Sequence, residues 1–268
     1  MINYIIYGHT SYLDVLRVQT DYVSIYDNTT LFINTNDVDM DDVYGQYKRV
    51  VFYDDTQPYA KRLIDCISQI DDEYFLMIHD IDILIDVDEE IIRQFYKFMK
   101  DNGVDRVDLK QSPNLNTEQV IRFDKSNIVS EWETMKPTEI TDGSYLVKQI
   151  RPEDYIYNVN PSIWNRESFL GLLNTFPNKT YRNIEGMDVQ EYISNLLVYK
   201  LFTNKPVNCG YFQCLGIFKY LHISHSGKLL LLNDKYETEY GQSYDDISDE
   251  YVSIVTKYNL KFSNKWVK

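Results

Sequence analysis

The chain has 268 residues, 27 basic and 41 acidic side chains, a formal net charge of −14, and 44% hydrophobic and 15% aromatic residues. That length suits one large domain, or one with a small appendage, and the apolar and aromatic content excludes a disordered chain. So acidic a protein is a poor partner for nucleic acid or an anionic membrane surface, because phosphates demand basic protein surface.

No apolar run approaches the ~18 residues of a membrane span. Met1 to His9 lacks the basic and long apolar regions of a signal peptide. The three cysteines, Cys66, Cys209 and Cys214, are odd in number and far from metal-finger spacing. They read as reduced thiols of a cytoplasmic protein, in which the sequons at Asn28 and Asn178 would go unused.

In chain order, Asn3 to Tyr7 is a β-rich run that stops at Gly8, and Ser11 to Gln19 reads as a helix with Leu13, Val15 and Leu16 inward. Leu31 to Ile33 is a second strand ending in polar residues. Val50 to Tyr53 is a third, ending at Asp54-Asp55. Pro58 opens a helix whose Ala60, Leu63, Ile64 and Ile67 share a face. Tyr74 to Ile78 is wholly apolar, as in strands covered on both faces, and Glu89 to Lys100 is helical by periodicity. Strands alternating with helices predict a mostly parallel sheet flanked by helices, with ligands outside the carboxyl ends of its strands. Gly8-His9-Thr10, Asp54-Asp55 and His79-Asp80-Ile81-Asp82 would then converge on one rim.

Residues 111–160 are richer in proline and polar residues and predict loops, short strands and an antiparallel extension. A helix comes next, from about Arg166 to Asn174, with Asn165 as its N-cap and Trp164 packed in the core. Asp188 and Glu191 form a capping box before another helix. Leu215 to His222 reads as a strand, and 233–268 as a peripheral tail.

The feature richest in chemistry is the apolar strand leading into Asp80-Ile81-Asp82. Two carboxylates two residues apart at a strand end suit one hard divalent cation. Such a cation would let a nucleoside diphosphate approach a protein of charge −14, and would stabilise the diphosphate as a leaving group. An EF-hand loop is excluded, because Ile85 occupies the position that requires glycine. A haloacid-type phosphatase motif is excluded by Leu84, which stands where threonine is needed.

These residues resemble a GT-A-fold, nucleotide-sugar-dependent glycosyltransferase. The likeness is carried by the first strand ending in Gly8-His9, the helix from Pro58 feeding the strand Tyr74 to Ile78, Asp80-Ile81-Asp82, the segment Asn160 to Glu167, and Ser226-Gly227-Lys228. It spans roughly residues 1–232, with 1–110 as the nucleotide-sugar half and 111–232 as the acceptor half. The chain departs from the bacterial pattern where Trp-x-x-Glu is usual, offering Asn183-Ile184-Glu185-Gly186 instead.

The resemblance implies Mn²⁺ or Mg²⁺ held by Asp82 and Asp80, completed by His225 or, second, His222. It implies a nucleoside-diphosphate sugar as donor and a glycan or other hydroxyl acceptor. Gly8, His9, Thr10 and Tyr12 would hold base and ribose, with Tyr12 stacking. Asp55 would accept from the base or ribose, and Lys61 and Arg62 would reach the nucleotide. His79 lies on the same rim, and Lys228 would neutralise the diphosphate. For an inverting transfer Glu185 is the favoured general base and Asp188 the second candidate, since a helix N-terminus lowers the basicity of Asp188. The competing readings are a sugar-phosphate nucleotidyltransferase, disfavoured by the missing Gly-rich basic loop after the first strand, and a non-catalytic nucleotide-sugar or glycan-binding or structural protein.

Overall fold

The computed structural model describes residues 2–23, 28–34, 41–87, 89–109, 120–123, 128–133, 145–150, 161–175, 178, 209–213, 218–222, 224–225, 228–229, 253–254 and 256–260. Strands β1 (Asn3–Tyr7), β2 (Thr29–Asn34), β3 (Arg49–Tyr53) and β4 (Tyr74–His79) lie parallel in the order β3-β2-β1-β4. They are joined through helices α1 (Leu13–Val23), α2 (Asp41–Tyr44) and α3 (Tyr59–Ile67). Each of the four strands expected in this part of the chain is present within two residues. Pro58 is the N-cap of α3, where a missing N–H costs nothing.

Beyond β4 the sheet is mixed, antiparallel except for the parallel pairing of its sixth and eleventh strands. After β5 (Asp82–Val87), α4 (Glu89–Asn102) and β6 (Arg106–Asp108), three further strands are β7 (Val120–Phe123), β8 (Ile128–Glu133) and β9 (Tyr145–Ile150). Then come β10 (Ser162–Asn165), α5 (Arg166–Thr175) and β11 (Cys209–Gln213). Strand β10 inserts between β4 and β6, antiparallel to both, and the ten-stranded sheet continues β6-β11-β9-β7-β8. This is a Rossmann-like α/β fold with the expected antiparallel extension, and one sheet runs through both halves of the chain. Two small ribbons pair β5 with β12 (Phe218–His222) and β13 (Ser224–His225) with β14 (Lys228–Leu229).

Alternation along the central strands divides the core between two faces. Ile5, Tyr7, Phe75, Met77 and Trp164 pack against Ala60, Leu63 and Ile67 of α3 and Phe169 and Leu173 of α5. Tyr4, Leu76 and Ile78 face Ile92, Phe95 and Met99 of α4, while Ile6, Leu31 and Ile33 meet Leu16 and Val43. Both faces being covered is why β1, β2 and β4 are apolar without the polar alternation of a half-exposed strand.

Local signals place the helix ends. Asn165 caps α5 as expected, its Oδ1 accepting from the Ser168 amide at 3.0 Å. Asn165→Ala is therefore expected to cost about 1 kcal/mol, read as a fall of roughly 2–4 °C in melting temperature. Helix α4 runs past the expected Lys100 and ends at Gly103, whose φ of +61° favours glycine. The Val104 amide then bonds the Met99 carbonyl at 2.9 Å, closing the helix. In the tail, Tyr258 and Lys257 join Asp21 of α1, and Ile254 and Leu260 are buried. No helix among the described residues is long and apolar enough to cross a membrane.

Candidate functional site

Strand β1 lies between β2 and β4, so the chain winds away from it in both directions. The gap outside the carboxyl ends of β1 and β4 is the topological switch point, the usual ligand crevice of such sheets. Tyr7 ends β1 directly beside His79, the last residue of β4. The chain leaving each strand therefore meets the other at this point: the loop Gly8 to Tyr12 after β1, and Asp80-Ile81-Asp82 after β4.

The two segments are joined by hydrogen bonds. The Asp80 amide donates to the Tyr7 carbonyl at 3.0 Å, and the His9 amide donates to Asp80 Oδ2 at 2.8 Å. The Gly8 amide bonds the Phe32 carbonyl, and the Thr10 amide bonds Asn34 Oδ1, both at 2.8 Å. The Ser11 amide donates to His9 Nδ1 at 3.0 Å, and the Tyr12 amide to the His9 carbonyl at 2.8 Å. All five backbone N–H groups of the loop are thus bonded within the protein, so it offers no amide cradle for phosphate. A Cβ on Gly8 would come within 3.1–3.2 Å of the Leu16 methyls, so any larger residue here would require Leu16 to give by a small shift.

Because an amide can only donate, the His9 Nδ1 is the acceptor, and its Nε2 hydrogen faces Asp55 Oδ2 at 3.0 Å. Asp55 also binds Arg62 Nη1 at 2.7 Å, tying the β1 loop to α3. Asp54 has a different task. It accepts from the Thr56 hydroxyl and amide, which hold its carboxyl below the usual range and shape the turn into α3. Beneath this rim, Tyr7 stacks on Tyr53 with centroids 5.1 Å apart and meets Tyr59 and His79 at 5.4 Å. Burial pushes the Tyr7 and Tyr53 phenols well above their ordinary range. Tyr53 therefore stays protonated and donates to the Gly8 carbonyl at 2.7 Å.

The acidic corner follows directly on β4. Asp80 is 7% exposed and Asp82 2%. Asp82 opens β5, and the ribbon register sets residue 222 directly across from it. From α1, Gln19 Nε2 donates to the Asp82 carbonyl at 2.8 Å and sits 3.4 Å from that of His79. Carboxylate oxygen is the donor type that Mg²⁺ and Mn²⁺ take. Among the described residues no group of three or more His, Cys, Asp and Glu side chains is placed to hold a metal. A cation on this pair would need further ligands from water, phosphate oxygens or another residue.

The structure brings Gly8, His9, Thr10, Asp55, His79, Asp80 and Asp82 to one rim. It corrects the expected role of Tyr12 and shows Arg62 and Lys61 with carboxylate partners of their own. Tyr12 is completely buried and has no face for a base to stack on, because the short 3₁₀ turn at Thr10–Tyr12 folds its ring into the core. Arg62 spends its fork on Asp55 and on the carbonyls of Asp55 and Gln57, each at 2.7 Å, and lies over the Tyr53 ring. It stabilises the rim and does not reach across the crevice. Lys61 is paired with Asp65 one turn along α3. His222 and His225 lie in β12 and β13, with His225 opposite Lys228 of β14. Glu185 and Asp188 lie outside the described residues. Two residues of the site were not expected. Asn34 accepts from the Thr10 amide and donates to its hydroxyl at 3.0 Å. Gln19 gives its signal in sequence as a polar residue in the inward stripe Tyr12, Val15, Leu16, Gln19.

No protein-family model and no curated protein sequence matches the chain. Among solved structures it is similar to a protein assigned as a glucose-1-phosphate thymidylyltransferase from Bacillus anthracis, in complex with sucrose. That likeness has 10% identity and a TM-score of 0.43 over 99% of this chain and 98% of the other. A UDP-glucose pyrophosphorylase complexed with UDP-glucose is similar at 13% identity and a TM-score of 0.41, over 82% and 92%. A cytidylyltransferase from Leptospira borgpetersenii is similar at 8% identity and 0.41, over 98% of each chain. The functional reading therefore rests on the residues of this chain.

Proposed function

We propose that the protein is a metal-dependent glycosyltransferase that moves a hexose from a UDP- or GDP-sugar to a glycan or other hydroxyl acceptor. The observation that carries this reading is the bond from the Gly8 to Tyr12 loop to buried Asp80 at the switch point, with Asp82, also buried, two residues on. With the loop amides bonded internally and Arg62 and Lys61 paired to carboxylates, the described rim has little to offer a diphosphate except through a cation. In a chain of charge −14, a divalent ion on Asp80 and Asp82 answers that repulsion. Such an ion supplies Lewis-acid stabilisation of the departing diphosphate. The register opposite Asp82 favours His222 over His225 as a completing ligand. Lys228 as a diphosphate counter-charge and Glu185, with Asp188 behind it, as general base complete the proposal.

With the five amides of the Gly8 to Tyr12 loop bonded internally, a triphosphate held in a backbone nest after β1 is disfavoured, which weighs against that form of nucleotidyl transfer. The test is to follow nucleoside diphosphate released from UDP- and GDP-hexoses with and without Mn²⁺, beside pyrophosphate formed from nucleoside triphosphates and hexose 1-phosphates. Mn²⁺-dependent release of UDP or GDP is expected. Pyrophosphate formation instead would assign the crevice to nucleotidyl transfer, and silence in both assays would leave a binding protein.

A further inference from the structure

Gln19 is 2% exposed and sits on α1, more than sixty residues in sequence from the acidic corner it touches. Its Nε2 carries two hydrogens and faces two carbonyls, those of His79 and Asp82. These carbonyls bracket Asp80 to Asp82, so one amide spans the stretch of backbone that presents both carboxylates. The orientation of the amide is fixed by its partners, since the reverse would set Oε1 against two carbonyl oxygens. Oε1 is buried and accepts no hydrogen bond among the described residues. A buried amide oxygen without a donor is costly. Its presence beside the corner suits a donor that comes with a ligand, and water bound to a hard cation is such a donor.

We infer that Gln19 is a positioning residue for a divalent cation at Asp80 and Asp82, clamping the β4–β5 corner so that both carboxylates serve one ion. This rests on the cation-binding reading of that pair. Other contacts hold the same corner, among them the His9 amide and Tyr7 carbonyl on Asp80 and the β12 pairing opposite Asp82, each at one end only. Gln19 reaches both ends of the turn.

The experiment is a titration of the full chain with Mn²⁺ alone, free ion read by electron paramagnetic resonance, alongside the metal-free melting temperature. Gln19→Met keeps the length and removes both polar atoms. It is expected to raise the Mn²⁺ dissociation constant about tenfold or more, as loss of a supporting residue does in metal sites. Gln19→Asn, which keeps the amide but shortens its reach, is expected to shift it in the same direction. Val18→Ala, one residue away and also fully buried, controls for loosening of α1. It is expected to lower the melting temperature without moving the Mn²⁺ constant. Wild-type affinity in both Gln19 variants, or an equal loss in Val18→Ala, overturns the positioning role and leaves the cation site standing. A wild-type chain that binds no Mn²⁺ overturns the cation reading and this inference with it.

Discussion

An Asp82→Asn chain is expected to lose Mn²⁺-dependent nucleotide binding while its metal-free melting temperature stays within a few degrees of wild type. Asp82 is 2% exposed at the start of β5. Burial disfavours the charge of a carboxylate so placed, a cost that a bound cation would offset. Asparagine keeps the volume and one acceptor oxygen and removes that charge. The fold therefore loses little, whereas a hard cation loses an anionic ligand. The fall in Mn²⁺ affinity is expected to reach at least the ~10–100-fold that removal of a merely supporting residue causes. Parallel melting curves with UDP or GDP, with and without Mn²⁺, check both halves. A variant with the wild-type metal-dependent shift would show that Asp82 holds no metal.

Phe75→Ala is expected to produce the largest loss of stability. Phe75 lies on β4, fully buried between α3 and α5, with its ring edge-on to Phe169 at 5.4 Å and Trp164 as its partner across the β10 pairing. Truncation removes the ring and leaves a cavity among neighbours that are themselves fixed by the sheet. The expected cost is about 3–5 kcal/mol, or a fall of roughly 6–20 °C in melting temperature for a chain of this size. Because β4 carries the acidic corner, nucleotide binding should weaken near the lowered midpoint and recover on cooling. A cost near that of an exposed substitution, under ~0.5 kcal/mol, would place Phe75 outside the core.

Most of the first half was legible because its signals are local. The apolar runs at Asn3 to Tyr7 and Tyr74 to Ile78 are too continuous for exposed strands, and the α3 stripe needs only its own nine residues. Asn165 announced its helix by residue type alone. Strands β5 and β10 were missed for the opposite reason. Ser162 to Asn165 is four residues long, and its strand character comes from pairing with β4 and β6, more than fifty residues away in each case. The rim shows the same division. Strand ends predicted which residues meet, but not what each side chain does there. Asp55 and Arg62 find each other across a turn, and Tyr12 turns inward. Asn34 and Gln19 gain their meaning only from partners 24 and 60 or more residues distant. Polar residues on inward faces were the readable trace of both.

The most direct test of the central claim is a thermal-shift panel of UDP, GDP and CDP and their hexoses, each with and without Mn²⁺. A ligand at 100 times its dissociation constant stabilises by about 2.7 kcal/mol, which for this chain is a shift of roughly 5–10 °C. The cation-bridged crevice predicts a shift that needs Mn²⁺ and favours UDP or GDP and its sugars. A folded protein that melts at one temperature across the whole panel, or that binds nucleotide equally well without metal, would contradict it.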